Sequence, residues 1–562
     1  MFLQVGILEK IRLTFKTIGF RIHQFRQTTK IYTTVYTKLG AVRGVTRNTN
    51  WGGNYLSFEK IPYGKPPVGK LRFRAPEPVE PWDHELDCTS SCEKPMQKHA
   101  LFNWSAGTED CLYLNVYAKN IVPKKLRPVM VWIYGGRFES GEATREMYSP
   151  DFFMSKEVVL VTINYRLSAL GFLSLDDPEV NVPGNAGLKD QLLALRWVQQ
   201  NIEAFGGDPN NVTLFGESAG GASTHLLSLS PQSEGLIHKT IVMSGSALCP
   251  WAFAPRNNWA LRLAEKMGYT GPPKDKAIYT FLCDAKGGDI VKAAALVLNK
   301  EEKHNRIFFP FGPVVEPYTT AHTLIDRPPV ELMQQTWSNQ VPMMIGGTSF
   351  EGLIFYPEVT HRPATLDEVG NFMSLLPPDL DKDLDPKLRE KYAFRLKDEY
   401  FGNKRCNMDN MMKFLDLESH REFWHPIYRT ALSRQQYASA PTYLYLFDYD
   451  SPRCNAVRNV YCGKRIRGVC HGDDVFYLFN SFLVDQSSVG SPEHKVFVSM
   501  IDIWTSFAAN SDPNCESTKF FKVDPLGNSR DIEVLNISSI TSITKLPYIW
   551  QVQLWNSFYR KN

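Results

Sequence analysis

A serine between two glycines is the feature that most constrains what this chain can fold into. Gly216-x-Ser218-x-Gly220 comes after a β-branched, apolar run at residues 211–215, which is typical of a buried strand. The run at residues 219–229 is first small and then leucine-rich, as in a helix packed on a sheet. A sharp turn from strand to helix needs such glycines because it leaves no room for Cβ atoms. The pattern predicts a nucleophile elbow that lifts the Ser218 hydroxyl into a pocket.

A glycine-rich turn upstream supplies the groups that would stabilise negative charge. The hydrophobic, strand-like run at residues 129–133 leads into Tyr-Gly-Gly-Arg-Phe at residues 134–138. Ester hydrolysis builds negative charge on the carbonyl oxygen, and backbone N–H groups in such a turn can point at that oxygen. The predicted oxyanion hole consists of the N–H groups of Gly136, Arg137 and Ala219, the last of which follows the nucleophile.

Several longer motifs extend over most of the chain. They lie at residues 58–69 (FEKIPYGKPPVG), 109–116 (EDCLYLNV), 164–173 and 184–191 (GNAGLKDQ). With the elbow, they make residues 33–560 resemble the carboxylesterase/cholinesterase family, most of all the insect α-esterases that lack a secretion signal. The resemblance implies an α/β-hydrolase fold: a large, mostly parallel, doubly wound sheet with helical insertions over the active site. The helical insertions are expected at about residues 318–430, where they would form one wall of the pocket. It implies hydrolysis of carboxylic esters without a cofactor or a metal.

The same resemblance indicates the partners of the serine. The family's acid lies in a Ser-x-Glu-Gly segment, which here is residues 349–352 and points to Glu351. The family's histidine lies in a Gly-x-x-His segment, which here begins at residue 468 and points to His471. The order Ser218, Glu351, His471 is the order that this fold requires. His471 would take the serine proton, and Glu351 would hold the imidazole in the correct tautomer.

The resemblance also suggests which aromatic side chains border the pocket. Trp251 and Phe309 are expected on the acyl side, and Phe423 and Trp424 on the opposite wall. For the latter two, packing as ordinary core aromatics is the slightly favoured alternative. An aromatic and mostly apolar pocket suits a small hydrophobic ester.

Arg137 departs from the family pattern, because most active relatives have a third glycine there. Its side chain would crowd bulky esters, pair with Glu217 or Glu351, or favour anionic substrates, since arginine binds carboxylates and phosphates in a two-pronged manner. The alternative is that it turns outward to solvent or to Glu139. Arg137 also motivates a second function: a slow-turnover esterase that mainly binds or scavenges esters or organophosphate-like compounds.

Charge and length constrain the domain organisation and the partners. The chain has 562 residues, and no linker or repeat divides it, so residues 33–562 are predicted to form a single domain. The net charge is +4, yet residues 1–30 alone carry six Lys or Arg against Glu9, a net +5. The remaining residues therefore carry a net −1, which gives no reason to expect a nucleic-acid partner.

Residues 1–32 are predicted to form a basic amphipathic helix. Apolar side chains recur there at steps of three and four, at Leu8, Ile11, Phe15, Ile18, Ile22 and Phe25. The run is too interrupted by charge for a signal peptide or a membrane span. Two interpretations stay open: the helix docks on the protein's own surface, or it lies on a membrane or lipid droplet.

These observations predict a cytoplasmic protein that is not secreted. Secreted relatives join an early cysteine to the one in the Glu-Asp-Cys motif, which here would be Cys88 or Cys92 with Cys111. In a reducing compartment, free thiols are expected instead.

Overall fold

A computed structural model describes residues 7–98, 104–370, 372–380, 384–485, 488–527 and 532–559. Its strands are β1 (Thr28–Tyr36), β2 (Ala41–Asn48), β3 (Asn54–Pro62), β4 (Leu86–Asp87), β5 (Gln97–Lys98), β6 (Ser105–Ala106), β7 (Tyr113–Ala118), β8 (Arg127–Ile133), β9 (Val159–Ile163), β10 (Gly207–Glu217), β11 (Lys239–Met243), β12 (Met343–Thr348), β13 (Thr442–Phe447), β14 (Glu533–Ile537) and β15 (Ser542–Lys545). All except β5 and β6 belong to one large sheet.

The large sheet is parallel at its centre and antiparallel at its edges. Its strand order is β1-β2-β3-β7-β9-β8-β10-β11-β12-β13-β14-β15, with β4 paired to β2. The strands from β9 to β14 in this order run parallel to one another, and β4 runs parallel to β2. The pairs β1–β2, β2–β3, β3–β7, β7–β9 and β14–β15 are antiparallel. Every residue of β9, β11, β12 and β13 is buried, as expected of strands covered on both faces.

Helices cover both faces of this sheet. They are α1 (Ile7–Gln27), α2 (Ser168–Phe172), α3 (Ala186–Asn201), α4 (Ala219–Leu229), α5 (Trp259–Lys266), α6 (Asp275–Asp284), α7 (Gly287–Ala294), α8 (Lys300–His304), α9 (Pro329–Leu332), α10 (Tyr356–His361), α11 (Ala364–Glu368), α12 (Pro386–Phe401), α13 (Met411–Ser419), α14 (His425–Tyr437), α15 (Ala456–Tyr461), α16 (Pro492–Asn510) and α17 (Ile549–Ser557). The predicted strand and helix around the elbow correspond to β10 and α4.

The helical insertions differ from the prediction in their extent. The range 318–430 was expected to be helical, but it contains β12, a central strand of the sheet. The insertion that follows β12 consists of α10 to α14, and a π-helical turn at His420–Trp424 joins the last two helices. A second group of helices, α5 to α8, was not anticipated as part of the pocket wall. It follows β11 and also reaches the cavity described below.

The N-terminal helix α1 is shorter than predicted and is docked on the body. It ends at Gln27, and the next residues enter β1 at the edge of the sheet instead of continuing to residue 32. Gln24 donates a hydrogen bond of 2.9 Å to the carbonyl of Arg145, and Gln27 donates one of 2.7 Å to the side chain of Asn50. The side chain of Leu8 lies outside the described part of the chain.

The cysteines are free thiols, and Cys88, Cys92 and Cys111 are all buried. Burial raises the pKa of the Cys88 and Cys92 thiols to about 12, which keeps them protonated at neutral pH. Among the helices that the structure describes, none combines the length and the apolar character needed to cross a bilayer.

Candidate active site

Ser218 lies at the turn between β10 and α4, where the backbone adopts an unusual conformation. Its φ is 59° and its ψ is −122°, a region that L-residues rarely adopt. Such a conformation costs on the order of 1–3 kcal/mol and persists only where the surrounding structure enforces it. The turn places the first N–H group of α4, that of Ala219, directly after the serine.

The glycines on either side of Ser218 are explained by close contact with the end of β8. A Cβ atom on Gly220 would lie 2.0 Å from the carbonyl oxygen of Ile133, and one on Gly216 would lie 2.6 Å from the same atom. A Cβ atom on Gly135 would meet the Cβ of Ser218 at 2.9 Å. These approaches are closer than a methyl group tolerates, so any side chain at these three positions would displace the elbow.

His471 and Glu351 form a tight pair. His471 Nδ1 lies 2.6 Å from Glu351 Oε2, and both side chains are buried. Since the carboxylate is an acceptor, Nδ1 carries a proton, and Nε2 is the nitrogen that can act as a base once the imidazole is neutral. Ser218 and His471 line the same cavity.

Two further groups orient Glu351, and the sequence did not indicate them. The hydroxyl of Ser244 and the backbone N–H of Thr348 each donate a hydrogen bond of 2.6 Å to Glu351 Oε1. Ser244 follows β11, and its φ of 46° turns it toward the site. No motif marks this serine, so only the parallel order of β11 and β12 reveals its role.

Glu217 lies on the other side of the imidazole from Glu351. Its Oε1 is 3.1 Å from His471 Nε2. Burial raises the pKa of Glu217 to about 7, although the charge of His471 opposes this shift. Burial would lower the pKa of His471, but the carboxylates of Glu217 and Glu351 outweigh it and raise that pKa to about 9. The imidazole is therefore held cationic to a higher pH than an isolated histidine.

The loop that carries His471 is anchored mainly by Asp473. Asp473 accepts backbone hydrogen bonds from Val457 (2.9 Å), Arg458 (3.1 Å) and Cys470 (2.8 Å). These bonds tie the loop to the start of α15. Asp474 accepts a single side-chain bond, of 3.2 Å, from the hydroxyl of Tyr445.

The predicted oxyanion turn lies beside the serine. Gly136 has a φ of 119°, and Arg137 and Phe138 have φ values of 62° and 56°. Within the described residues, nothing accepts a hydrogen bond from the N–H of Gly136 or Arg137. The N–H of Ala219 opens α4, so no preceding helical carbonyl can accept it. All three donors are thus available to a ligand.

A cavity of about 350 Å³ opens above Ser218 and His471. Trp251 and Phe309 line it as predicted. Phe423 lines it too, although core packing was the slightly favoured alternative, and its ring lies 4.5 Å from the His471 ring between centroids. Sequence reasoning did not find the other large side chains of its wall, which are Phe308, Phe355, Ile354, Leu298 and Tyr461. The wall is rich in aromatic side chains, and it also includes the charged residues Lys98, Arg137, Glu139, Lys303 and Glu358.

Trp424 does not reach this cavity, so its assignment to the substrate pocket is corrected. Its side chain is fully buried, and its indole N–H donates a hydrogen bond of 2.9 Å to the carbonyl of Thr348. Successive residues of a helical turn point in different directions, so Phe423 faces the cavity while Trp424 packs against Tyr548 at a centroid distance of 5.3 Å.

A second, smaller cavity of about 110 Å³ lies on the Glu217 side of the imidazole. Met147, Tyr148, Val475, Phe476 and Leu483 supply most of its apolar wall. His471, Gly136 and Tyr461 border both cavities. The second cavity thus adjoins the larger one at His471, whereas Ser218 lines only the larger one.

The Arg137 side chain turns outward at the mouth of the larger cavity. It is 49% exposed, and its Nη2 donates a hydrogen bond of 3.1 Å to the carbonyl of Phe308. Its Nε lies 3.9 Å from Glu139 Oε2, and the guanidinium is 5.8 Å from the centroid of the Phe308 ring. Arg137 is thus near Glu139, as one interpretation expected, and forms no ion pair with Glu217 or Glu351 among the described contacts. It still contributes to the lining of the larger cavity.

Within the described ranges, no group of three or more His, Cys, Asp or Glu side chains is arranged to hold a metal ion.

A buried serine on a strand–turn–helix elbow, set in a large and mostly parallel sheet, defines the α/β-hydrolase class. The profile of the carboxylesterase family matches residues 32–555, and the chain belongs to this family. It is therefore a carboxylic-ester hydrolase.

Individual relatives agree with this assignment. The chain is 38% identical to Esterase B1 of Culex pipiens, over 94% of this chain and 98% of that one. It is 34% identical to a juvenile hormone esterase of Tribolium castaneum, over 92% and 90% of the two chains. The crystal structure of juvenile hormone esterase from Manduca sexta, with OTFP covalently attached, superposes with a TM-score of 0.82 at 27% identity. That superposition covers 94% of this chain and all of the other.

Proposed function

We propose that this enzyme hydrolyses small hydrophobic carboxylic esters through a covalent acyl-enzyme on Ser218. The observation that carries the proposal is the hydrogen bond of 2.6 Å between His471 Nδ1 and Glu351 Oε2, because His471 and Ser218 line the same cavity. The covalent OTFP in the Manduca sexta structure supports a covalent route.

Acylation would begin with attack by Ser218. His471 Nε2 takes the hydroxyl proton while Oγ bonds to the ester carbonyl carbon. The carbonyl oxygen becomes an oxyanion, which the N–H groups of Gly136, Arg137 and Ala219 stabilise. The tetrahedral intermediate collapses, the bond to the alcohol oxygen breaks, and His471 returns the proton to the leaving alcohol. Glu351 stabilises the transient imidazolium.

Deacylation would repeat these steps with water as the nucleophile. His471 removes a proton from the water as its oxygen bonds to the acyl carbon. The second intermediate releases the carboxylic acid, and the Ser218 oxygen recovers its proton from His471. Ester and water are consumed, and one acid and one alcohol are formed.

The cavity walls support a hydrophobic substrate. Trp251, Phe309 and Phe423 surround the larger space, and its volume of about 350 Å³ accommodates an acyl or alcohol group of moderate size. Two of the similar proteins named above are juvenile hormone esterases, which supports an ester as the substrate of this enzyme.

The scavenger alternative is not favoured, because Arg137 turns away from the pair that would activate water. A burst assay with a chromogenic acetate ester separates the two functions. The proposal predicts steady turnover well beyond one equivalent of product per enzyme. A burst of about one equivalent followed by silence would contradict it and support the scavenger.

The pH dependence of kcat/KM should show the effect of Glu217 on the pKa of His471. Because His471 must be neutral to accept a proton and its pKa is about 9, kcat/KM should rise with pH through the alkaline range. This differs from an unperturbed histidine, for which the rise would be centred near about 6.5. Glu217→Gln removes one negative charge 3.1 Å from Nε2 and should move the rise to lower pH by about 1–3 units.

The measurement is kcat/KM from pH 5 to pH 10 for both proteins. Glu139→Gln is the matched control, because this carboxylate lies at the mouth beside Arg137. Profiles for wild type and Glu217→Gln that coincide would show that Glu217 does not set the protonation of His471.

Arg137→Gly should raise kcat/KM for neutral esters, by roughly 10-fold for bulky branched acyl groups and by less for acetates. The substitution opens the mouth, removes the bond to Phe308 and suits a φ of 62°, which glycine adopts without strain. Lys303→Ala removes another cation from the same cavity lining and controls for charge alone. A mutant slower on both substrates would show that Arg137 contributes to catalysis instead of obstructing the entrance.

A further inference from the structure

The apolar face of helix α1 points to solvent. Its five described apolar side chains follow one another at steps of three and four, at Ile11, Phe15, Ile18, Ile22 and Phe25, and all are exposed. Phe15 is 70% exposed and Phe25 is 79% exposed. A contiguous stripe of large apolar residues is rare on a protein that meets only water, and such stripes mark interaction sites.

The opposite face of α1 fixes the helix to the body of the protein. Leu13 is buried, and Lys16 Nζ forms an ion pair of 2.5 Å with Asp485. His23 Nε2 lies 2.7 Å from Asn50 Oδ1, next to the bonds of Gln24 and Gln27 described above. The two interpretations of this helix are therefore not exclusive: it docks through its mixed face and presents the apolar one.

Basic side chains accompany the apolar face. Lys10, Arg26 and Lys30 have no carboxylate partner among the described residues. The exposed apolar side chains continue into β1 with Ile31 and Tyr36, which are also mostly exposed. Phenylalanine with isoleucine on one face, unpaired Lys and Arg nearby, and tyrosine at the margin are the composition that binds a lipid–water interface.

We propose that this surface, the α1 face defined by Ile11, Phe15, Ile18, Ile22 and Phe25, binds the surface of an anionic phospholipid membrane. The apolar side chains enter the boundary between headgroups and acyl chains. Lys10, Arg26 and Lys30 interact with the phosphate groups of the lipids and with the carboxylates of phosphatidylserine headgroups. Residues 1–30 carry a net charge of +5, and the rest of the chain carries a net charge of −1. This asymmetry orients the N-terminal end of the molecule toward a negatively charged surface.

Helix α1 docks on two segments that also contribute to the wall of the second cavity, and the following step rests on the proposed function. The segments that α1 contacts, at Arg145, Glu146 and Asp485, are close in the chain to Met147 and Leu483, which line the second cavity. We infer that the natural substrates include hydrophobic esters dissolved in the bilayer, which reach the enzyme without crossing bulk water.

The first experiment measures sedimentation of the full-length protein with vesicles of 30% phosphatidylserine in phosphatidylcholine. Phe15→Ser/Phe25→Ser should lower the partition coefficient roughly 100-fold, since each ring loses its burial in lipid. Arg26→Gln/Lys30→Gln should weaken binding less, and should reduce its dependence on salt. Phe394→Ser/Phe520→Ser removes two equally exposed rings elsewhere and should bind as the wild type does.

Two outcomes would overturn the proposal. Equal vesicle binding by wild type and Phe15→Ser/Phe25→Ser would show that α1 does not contact lipid. The second outcome is a wild-type protein that does not bind vesicles but forms a dimer. If the same double substitution dissociated that dimer, a second copy of the chain would cover the α1 face.

Kinetics separate membrane binding from the chemistry. Phe15→Ser/Phe25→Ser should keep the wild-type kcat/KM on a soluble acetate and lose at least about tenfold on an ester dissolved in anionic vesicles. Equal losses on both substrates would overturn the role of α1 in access to bilayer esters. If the wild type hydrolysed neither substrate, the proposed function would fail while the sedimentation result stood on its own.

Discussion

Ser218→Ala should lower kcat for a chromogenic ester by roughly 10⁵- to 10⁶-fold while the protein stays folded. The hydroxyl is the only proposed nucleophile, and loss of such a group leaves only the rate that substrate binding and the oxyanion donors supply. Alanine adopts the φ of 59° about as readily as serine does, so the elbow should persist. The measurements are steady-state kinetics and the thermal unfolding midpoint.

A second serine of the same helix provides the control. Ser223 is buried in α4, and its hydroxyl accepts a hydrogen bond of 3.2 Å from Gln191. Ser223→Ala should cost about 1 kcal/mol of stability and leave kcat within a few-fold of wild type. A Ser218→Ala protein with substantial turnover would mean that a different group attacks the ester.

Glu351→Gln should lower kcat by roughly 10⁴-fold, and the reason lies in the contacts of its two oxygens. Ser244 and the N–H of Thr348 both donate to Oε1, so the glutamine oxygen must remain at that position. Its NH₂ group then faces His471 Nδ1, which must accept a hydrogen bond. The imidazole proton moves to Nε2, and the histidine can no longer take a proton from Ser218.

Two variants distinguish this tautomer effect from a loss of structure. Ser244→Ala removes one donor to Glu351 and should lower kcat far less, because the N–H of Thr348 still holds the carboxylate. Glu217→Gln removes a carboxylate from the other side of the imidazole and should shift the pH profile without abolishing turnover. Glu351→Gln with near wild-type kcat would show that another acid orients His471.

The sequence was sufficient to predict those parts of the active site that depend on local backbone geometry. Gly216 and Gly220 are needed because any Cβ there would collide with the carbonyl of Ile133, so the elbow and α4 were predicted nearly to the residue. Strand β10 was predicted at residues 211–215 but begins earlier, at Gly207. The resemblance to one family then singled out Glu351 and His471, which the structure places 2.6 Å apart. Local patterns alone would not choose His471 among 12 histidines.

Features that depend on packing between distant segments were missed or misassigned. Ser244 carries no motif, and it meets Glu351 only because β11 and β12 are adjacent in the sheet. Phe423 and Trp424 are neighbours in the sequence, yet only Phe423 faces the cavity, because helical geometry separates their directions. Periodicity revealed the apolar face of α1, but the partners of its other face, Asp485 and Asn50, lie in distant segments.

Identifying the residue that becomes acylated tests the central claim most directly. The protein would be treated with a fluorophosphonate, whose phosphorus is attacked by an activated serine, and the intact mass and proteolytic peptides would be analysed. We expect one adduct per chain, located on the peptide that contains Ser218, and no adduct on Ser218→Ala. A single adduct on any other serine, or equal labelling of the Ser218→Ala protein, would contradict an acyl-enzyme on Ser218.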